Sequence, residues 1–111
     1  MPRLSARFYT TGANEPVKEW LLSDHELKAE VGTAIMAVQF GWPVGQPLCK
    51  HIEGDIWEVR VNLNNRIARV LFALDGSTMI LLHGFVKKTQ KTPKEEIDIA
   101  KDRWNTFRRK K

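Results

Sequence analysis

The sequence predicts an α+β domain: a small, mainly antiparallel sheet, preceded by a helical hairpin and followed by one helix. Three observations carry this reading. Residues 56–86 read as three strands separated by two turn signals, Asn64-Asn65 and Asp75-Gly76. Apolar residues from Val17 to Val38 recur at helical spacing on both sides of a Ser23-Asp24 joint. Ile97, Ala100, Trp104 and Phe107 fall on one face of a last helix, at steps of three, four and three.

In chain order, residues 4–11 are β-prone enough for a short first strand. Asn14-Glu15-Pro16 starts a helix, since Asn caps free amides and Pro costs little in the first turn. Val17, Trp20 and Leu21 carry that helix to about Leu22. Ser23 and Glu26 form a capping box for a second helix over 24–40, whose stripe is Leu27, Val31, Ala34, Ile35 and Val38. Gly41-Trp42-Pro43 stops it, and 43–54 reads as a Pro/Gly loop. Trp42, in its turn, is a candidate surface contact.

The sheet begins near Ile56. Trp57, Val59, Val61 and Leu63 alternate with Ile56, Glu58, Arg60 and Asn62, giving a half-buried strand with a charged face. Asn64-Asn65 suits a tight turn and tolerates positive φ. Residues 66–74 and 78–86 are nearly continuous apolar runs, as central strands covered on both faces require, and Asp75-Gly76 joins them. Thr92, Pro93 and Glu95 then read as cap, first helical residue and box partner of the final helix. The element order is β-α-α-β-β-β-α in a single domain, 1–111.

Composition narrows the function classes. No apolar run approaches a bilayer span, and the N-terminus lacks a secretory core, so a cytoplasmic protein without a membrane partner is expected. A single cysteine, Cys49, excludes an intrachain disulfide and reads as a bystander. The formal charge of +5 is unevenly placed: residues 87–111 hold ten Lys/Arg against four Asp/Glu, and the rest is near neutral. Such a basic quarter suits nucleic acid, or else is a solubilising tail.

Arginines on core strands are costly unless paired or set at a cleft. Arg60 and Arg69 lie on neighbouring strands joined by a short turn, and Lys87 and Lys88 sit where the third strand leaves the sheet. Guanidinium forks match phosphate oxygens, so such a group would hold a scissile phosphate and stabilise its transition state. The competing reading is structural, with Arg60 paired to Glu58 or Glu95 and Arg69 snorkelling. His83 reads as a core or cleft-lining residue, while His25 and His51 read as exposed. No carboxylate or histidine cluster invites a metal, so no cofactor is expected and any hydrolysis would proceed without one.

The blocks Q-F-G-W-P (39–43), W-E-V-R (57–60), R-I-A-R-V-L-F (66–72) and L-L-H-G-F-V-K-K-T-Q-K-T-P-K-E-E-I (81–97) closely resemble the phage-derived branch of RelE/HigB-like toxins of type II toxin–antitoxin systems. The resemblance implies the RelE-like α+β fold and a ribosome-dependent mRNA endoribonuclease that inhibits translation without a metal. In that chemistry the ribose 2′-hydroxyl attacks the adjacent phosphate. Carried over by position, Arg60 takes the place of a strand cation and Arg69 that of the central phosphate-gripping arginine. Lys88, with Lys87 beside it, takes the place of the basic residue after the last strand. Arg66, Lys91, Lys94, Arg108 and Arg109 are candidate RNA contacts.

RelE itself also uses a tyrosine near the start of the last helix, where this chain has Thr92-Pro93-Lys94. The general base is therefore open among Lys87, His83 and Glu58, in that order. The implied partners are mRNA, the ribosome and a HigA-like helix-turn-helix antitoxin. Two other readings remain: a ParE-like toxin acting on DNA gyrase without cleavage, and an inactive phage-derived accessory protein.

Overall fold

The computed structural model of the protein describes residues 1–87 and 91–111. Asp75-Gly76 turns the chain as its composition requires. Asp75 pairs with Thr78, and Gly76 takes φ +60°, which costs glycine nothing. On either side run β4 (Ile67–Asp75) and β5 (Thr78–Lys87), antiparallel neighbours. Asn64-Asn65 makes the second tight turn, closed by the Leu63 amide donating to Arg66 O at 2.8 Å. Neither asparagine uses the positive φ that it tolerates. That turn joins β4 to β3 (Ile56–Asn62).

One strand was not foreseen. Within the expected 43–54 loop, β2 (Cys49–Glu53) pairs antiparallel with β3, Cys49 opposite Val59 and Lys50 opposite Glu58. The order is thus β-α-α-β-β-β-β-α. At the other edge β1 (Ser5–Phe8), shorter than expected, runs parallel to β5, and the sheet reads β1-β5-β4-β3-β2.

The sheet is covered on both faces. Helices α1 (Pro16–Leu22) and α2 (His25–Gly41) bury Val17, Leu21, Val31 and Val38 against Val59, Val70 and Phe72. Helix α3 (Lys94–Arg109) buries Ala100 and Trp104 against Ile56, Leu71, Ile80 and Leu82 on the opposite face. This explains the unbroken apolar run of β4, which has no solvent side. Trp20 lies so close over Gly84 that a β-carbon there would stand 2.3 Å from its ring. Trp42 is no surface contact: it packs edge-on to Trp57 at 5.0 Å, against the core.

The caps differ from expectation in an informative way. Asp24, not Ser23, caps α2, its Oδ1 accepting from the amides of Glu26 at 2.9 Å and Leu27 at 3.2 Å. Ser23 still belongs to the last turn of α1, at αR backbone angles, and its hydroxyl donates back to Trp20 O at 2.6 Å. Pro93 occupies the N-cap position of α3, which frees Thr92 for another partner. Among the described residues no helix is long and apolar enough to cross a membrane.

Candidate active site

The site is built on the α3 face of the sheet, and a β-bulge aligns it. Leu71 pairs with His83 and Phe72 with Leu81, so Leu82 is an extra residue on β5. The slip changes the phase of the strand. Leu82 and Phe85 both pack with the α3 core, whereas Leu81 and Val86 pack with the α1–α2 core. Bulges near sites re-aim side chains in this manner. Three rows then cross β3, β4 and β5: Glu58–Leu71–His83, Arg60–Arg69–Phe85 and Asn62–Ile67–Lys87. Arg60 and Arg69 are direct cross-strand partners, and Lys87 lies one row further towards the end of β5.

The two arginines differ in depth. Arg69 is 0% exposed, and Glu58 below Arg60 is 1% exposed. Thr92 donates a short hydrogen bond to Glu58 Oε2, and Arg69 Nη1 donates to Thr92 Oγ1 at 3.4 Å. Arg60 Nη2 lies 3.7 Å from Glu58 Oε1 with 24% of its side chain exposed. Burial pulls Arg69 below the ordinary arginine value; Glu58 opposes that pull and Arg60 adds to it. A guanidinium remains charged throughout. The result is a buried carboxylate among two arginines and a hydroxyl, with one arginine reaching out.

Arg60 reaches into a cleft of about 620 Å³, lined by Lys50, Ile52, Glu53, Arg60, Lys91, Thr92 and Ile97. Three of these side chains are cations. The acid at the rim, Glu53, is already bonded to Lys101 at 2.8 Å. With three cations on its walls and its one carboxylate so engaged, the cleft favours an anion. Lys94 borders an adjoining hollow with Lys91 and Thr92, and forms an exposed pair with Asp98 at 3.2 Å.

The remaining described candidates lie elsewhere. Lys88 falls outside the described residues. His83 turns to α3, its Nε2 3.3 Å from Glu96 Oε1, while Arg103 Nη1 lies 3.5 Å from its Nδ1. Burial holds the imidazole below its ordinary value against the opposing pull of Glu96. Arg108 lies 3.7 Å from Asp55 and over the Trp104 ring. Arg109 lies beside it at the C-terminal end of α3, about 22 Å from Lys94 at helical rise. Cys49 is buried, and burial pushes its thiol up to about 11. Among the described residues no three His, Cys, Asp or Glu side chains gather as a metal site would need.

Arg66 sits on the other side of the sheet from Arg60. Its Nη2 donates to Asp24 Oδ2 at 2.7 Å and to Glu26 Oε1 at 3.2 Å, tying the β3–β4 turn to the start of α2. The Arg66 hydrogen bond, helped by the Leu27 amide, holds the Asp24 carboxyl below its ordinary value. A depressed acid stabilises the fold above the unfolded-state pKa of about 3.9 and ceases to do so as pH falls through its lower folded value. Arg66→Ala is therefore expected to lower Tm at neutral pH, with the gap to wild type closing in acid. A gap unchanged down to acid pH would place the stabilisation outside this ion pair.

Lys50 and Thr92 are the site residues that the sequence reading overlooked. The signal for Lys50 was the short run Cys49–Ile52 between Pro47 and Gly54; for Thr92 there was none, since a cap explained it equally well.

The helical hairpin, the small mixed sheet and the C-terminal helix are compatible with the RelE/HigB-like toxin fold. Residues 18–105 match the family model described as Phage derived protein Gp49-like (DUF891), and the chain belongs to that family. More particularly, it is similar to proteins described as "Probable endoribonuclease HigB1" from two strains of Mycobacterium tuberculosis, CDC 1551 / Oshkosh and ATCC 25618 / H37Rv. Identity to each is 43% over 60 residues, which is 54% of this chain and 48% of the relative. The chain thus spans about half the length of the curated relatives it matches.

Proposed function

We propose that the protein is the toxin of a type II toxin–antitoxin module: an endoribonuclease that cuts mRNA on the ribosome, in the cytoplasm, by 2′-hydroxyl attack on the adjacent phosphate. The observation that supports it most is Arg60, paired across the strands with buried Arg69 and opening into a cation-lined cleft. A HigA-like helix-turn-helix antitoxin would be its neutralising partner.

The reaction needs no external nucleophile. The 2′-oxygen bonds to phosphorus as the 5′-oxygen leaves, so one proton must be removed and one supplied while negative charge builds on the non-bridging oxygens. Arg60 meets those oxygens with a fork of donors. Arg69, held in place by Thr92, adds positive potential from beneath, where low dielectric makes it count. Lys87, at the end of β5 on the same face, is the candidate base, with Lys88 beside it in sequence. Glu58 is too deeply buried to meet a 2′-hydroxyl, and His83 is turned towards Glu96; both serve to position neighbours. Lys91 and Lys94 border the path of the backbone.

Inducing the protein and mapping transcript ends tests this reading. Discrete cuts within translated messages, absent from an Arg60→Ala control, are expected. Growth arrest with DNA damage and intact transcripts would instead favour a gyrase-directed toxin, and absence of any arrest an inactive remnant.

A further inference from the structure

Strand β2 widens the candidate site in a direction that the opposed arginines do not cover. It is the edge strand; its residues alternate between the two faces of the sheet as far as His51, and a bulge against β3 follows between His51 and Glu53. His51 lies against the Trp57 ring on the α1–α2 side, with ring centroids 5.0 Å apart. Lys50 therefore faces α3, Ile52 at the bulge packs against the α3 core, and both line the cleft that Arg60 enters. Lys50 stands opposite Glu58 in register, but Glu58 is sealed beneath Arg60 and Thr92. Among the described residues no ion pair is made by Lys50. The lysine ammonium thus faces the cleft rather than a carboxylate.

The cleft has two chemistries side by side. Lys50, Arg60 and Lys91 supply positive charge, while Ile52 from the sheet and Ile97 from α3 supply apolar surface. A bare anion would use only the first. A nucleotide unit uses both, with its phosphate on the cations and one face of its base against the isoleucines. We propose that β2 carries a nucleotide subsite of the RNA substrate: Lys50 takes a phosphate next to the scissile one, and Ile52 with Ile97 shelters the attached base.

This rests on the endoribonuclease reading and adds a place along the RNA, on the β2 side of Arg60. Because Lys50 stands in the Glu58 row, beside the row of the opposed arginines, its loss weakens binding more than the chemical step. The subsite does not select a base by hydrogen bonding, since an aliphatic wall accepts any base.

The test uses the full chain and a short single-stranded 2′-O-methyl oligoribonucleotide, which cannot undergo 2′-hydroxyl attack. On a single strand, each phosphate that a protein cation ceases to neutralise lowers the slope of log affinity against log salt by about 0.7. Lys50→Gln is expected to show that decrease and to bind roughly fivefold to tenfold more weakly at low salt. Its thermal melt should remain near wild type and its single-turnover rate should fall more at subsaturating than at saturating RNA, while Lys18→Gln, a control on the exposed face of α1, should keep the wild-type slope. Wild type is expected to bind the probe several-fold more tightly than an abasic counterpart. Ile52→Thr, which keeps the β-branched shape that strands favour, should reduce that preference. A Lys50→Gln slope equal to wild type, with RNA cleavage intact in both, overturns the subsite and leaves the nuclease standing. A wild type that neither binds nor cuts RNA overturns both.

Discussion

Arg60→Ala is expected to slow RNA cleavage by roughly 10²–10³-fold, the usual cost of losing one preorganised donor to a developing oxyanion. The folded state should survive. The side chain is partly exposed at a cleft mouth, and Glu58 keeps the Thr92 hydroxyl when the arginine is gone. The deficit should lie in the chemical step, because charge on the non-bridging oxygens grows only on the way to the transition state. Arg60→Lys keeps the charge but loses the planar fork, so it should fall between alanine and wild type. Single-turnover cleavage, measured beside a thermal melt, separates the outcomes. An alanine variant that cuts at the wild-type rate would remove Arg60 from the chemistry, and with it the main support for a phosphate site on this sheet.

The site was legible wherever local sequence sets register, and illegible wherever tertiary context decides. Two tight turns, at Asn64-Asn65 and Asp75-Gly76, limit how β3, β4 and β5 can align, so the nearness of Arg60 and Arg69 was to be expected, and the register makes them direct partners. The phase of β5 beyond Leu81 did not follow. A bulge inserts Leu82 with only Gly84, two residues on, as a local signal, and this carries Phe85 and Lys87 to the α3 face. Strand β2 was hidden for a different reason. Its five residues lie in a stretch with Pro43, Gly45, Pro47 and Gly54, a composition that reads as loop, and an edge strand needs little apolar surface to pair. Thr92 shows the limit of capping rules: the residue before Pro93 suits a cap, yet its hydroxyl is drawn to the buried carboxylate of Glu58. No spacing rule links residues 34 positions apart.

That carboxylate governs the second large effect. Glu58→Ala leaves Arg69 in a site with no exposure, deprived of its nearest negative charge and still faced by Arg60. Removing one member of a buried charge group costs about 3–5 kcal/mol. A small domain has only about 5–15 kcal/mol to lose, so the variant should melt well below wild type or fail to accumulate. Glu58→Gln keeps an acceptor for Thr92 but not the charge, and should fall between the two. The decisive comparison adds Arg69→Met to Glu58→Gln. If Glu58 chiefly compensates the buried guanidinium, removing both charges should recover stability that each single change loses, a coupling of contacting residues rather than a sum. The same variants separate positioning from proton transfer. Folded Glu58→Gln enzyme should keep the shape of its pH–rate profile, because a carboxylate with 1% exposure under Thr92 never meets the 2′-hydroxyl. Loss of the acidic limb of that profile, with Tm unchanged, would instead make Glu58 the base, and Lys87 would then have to yield that role.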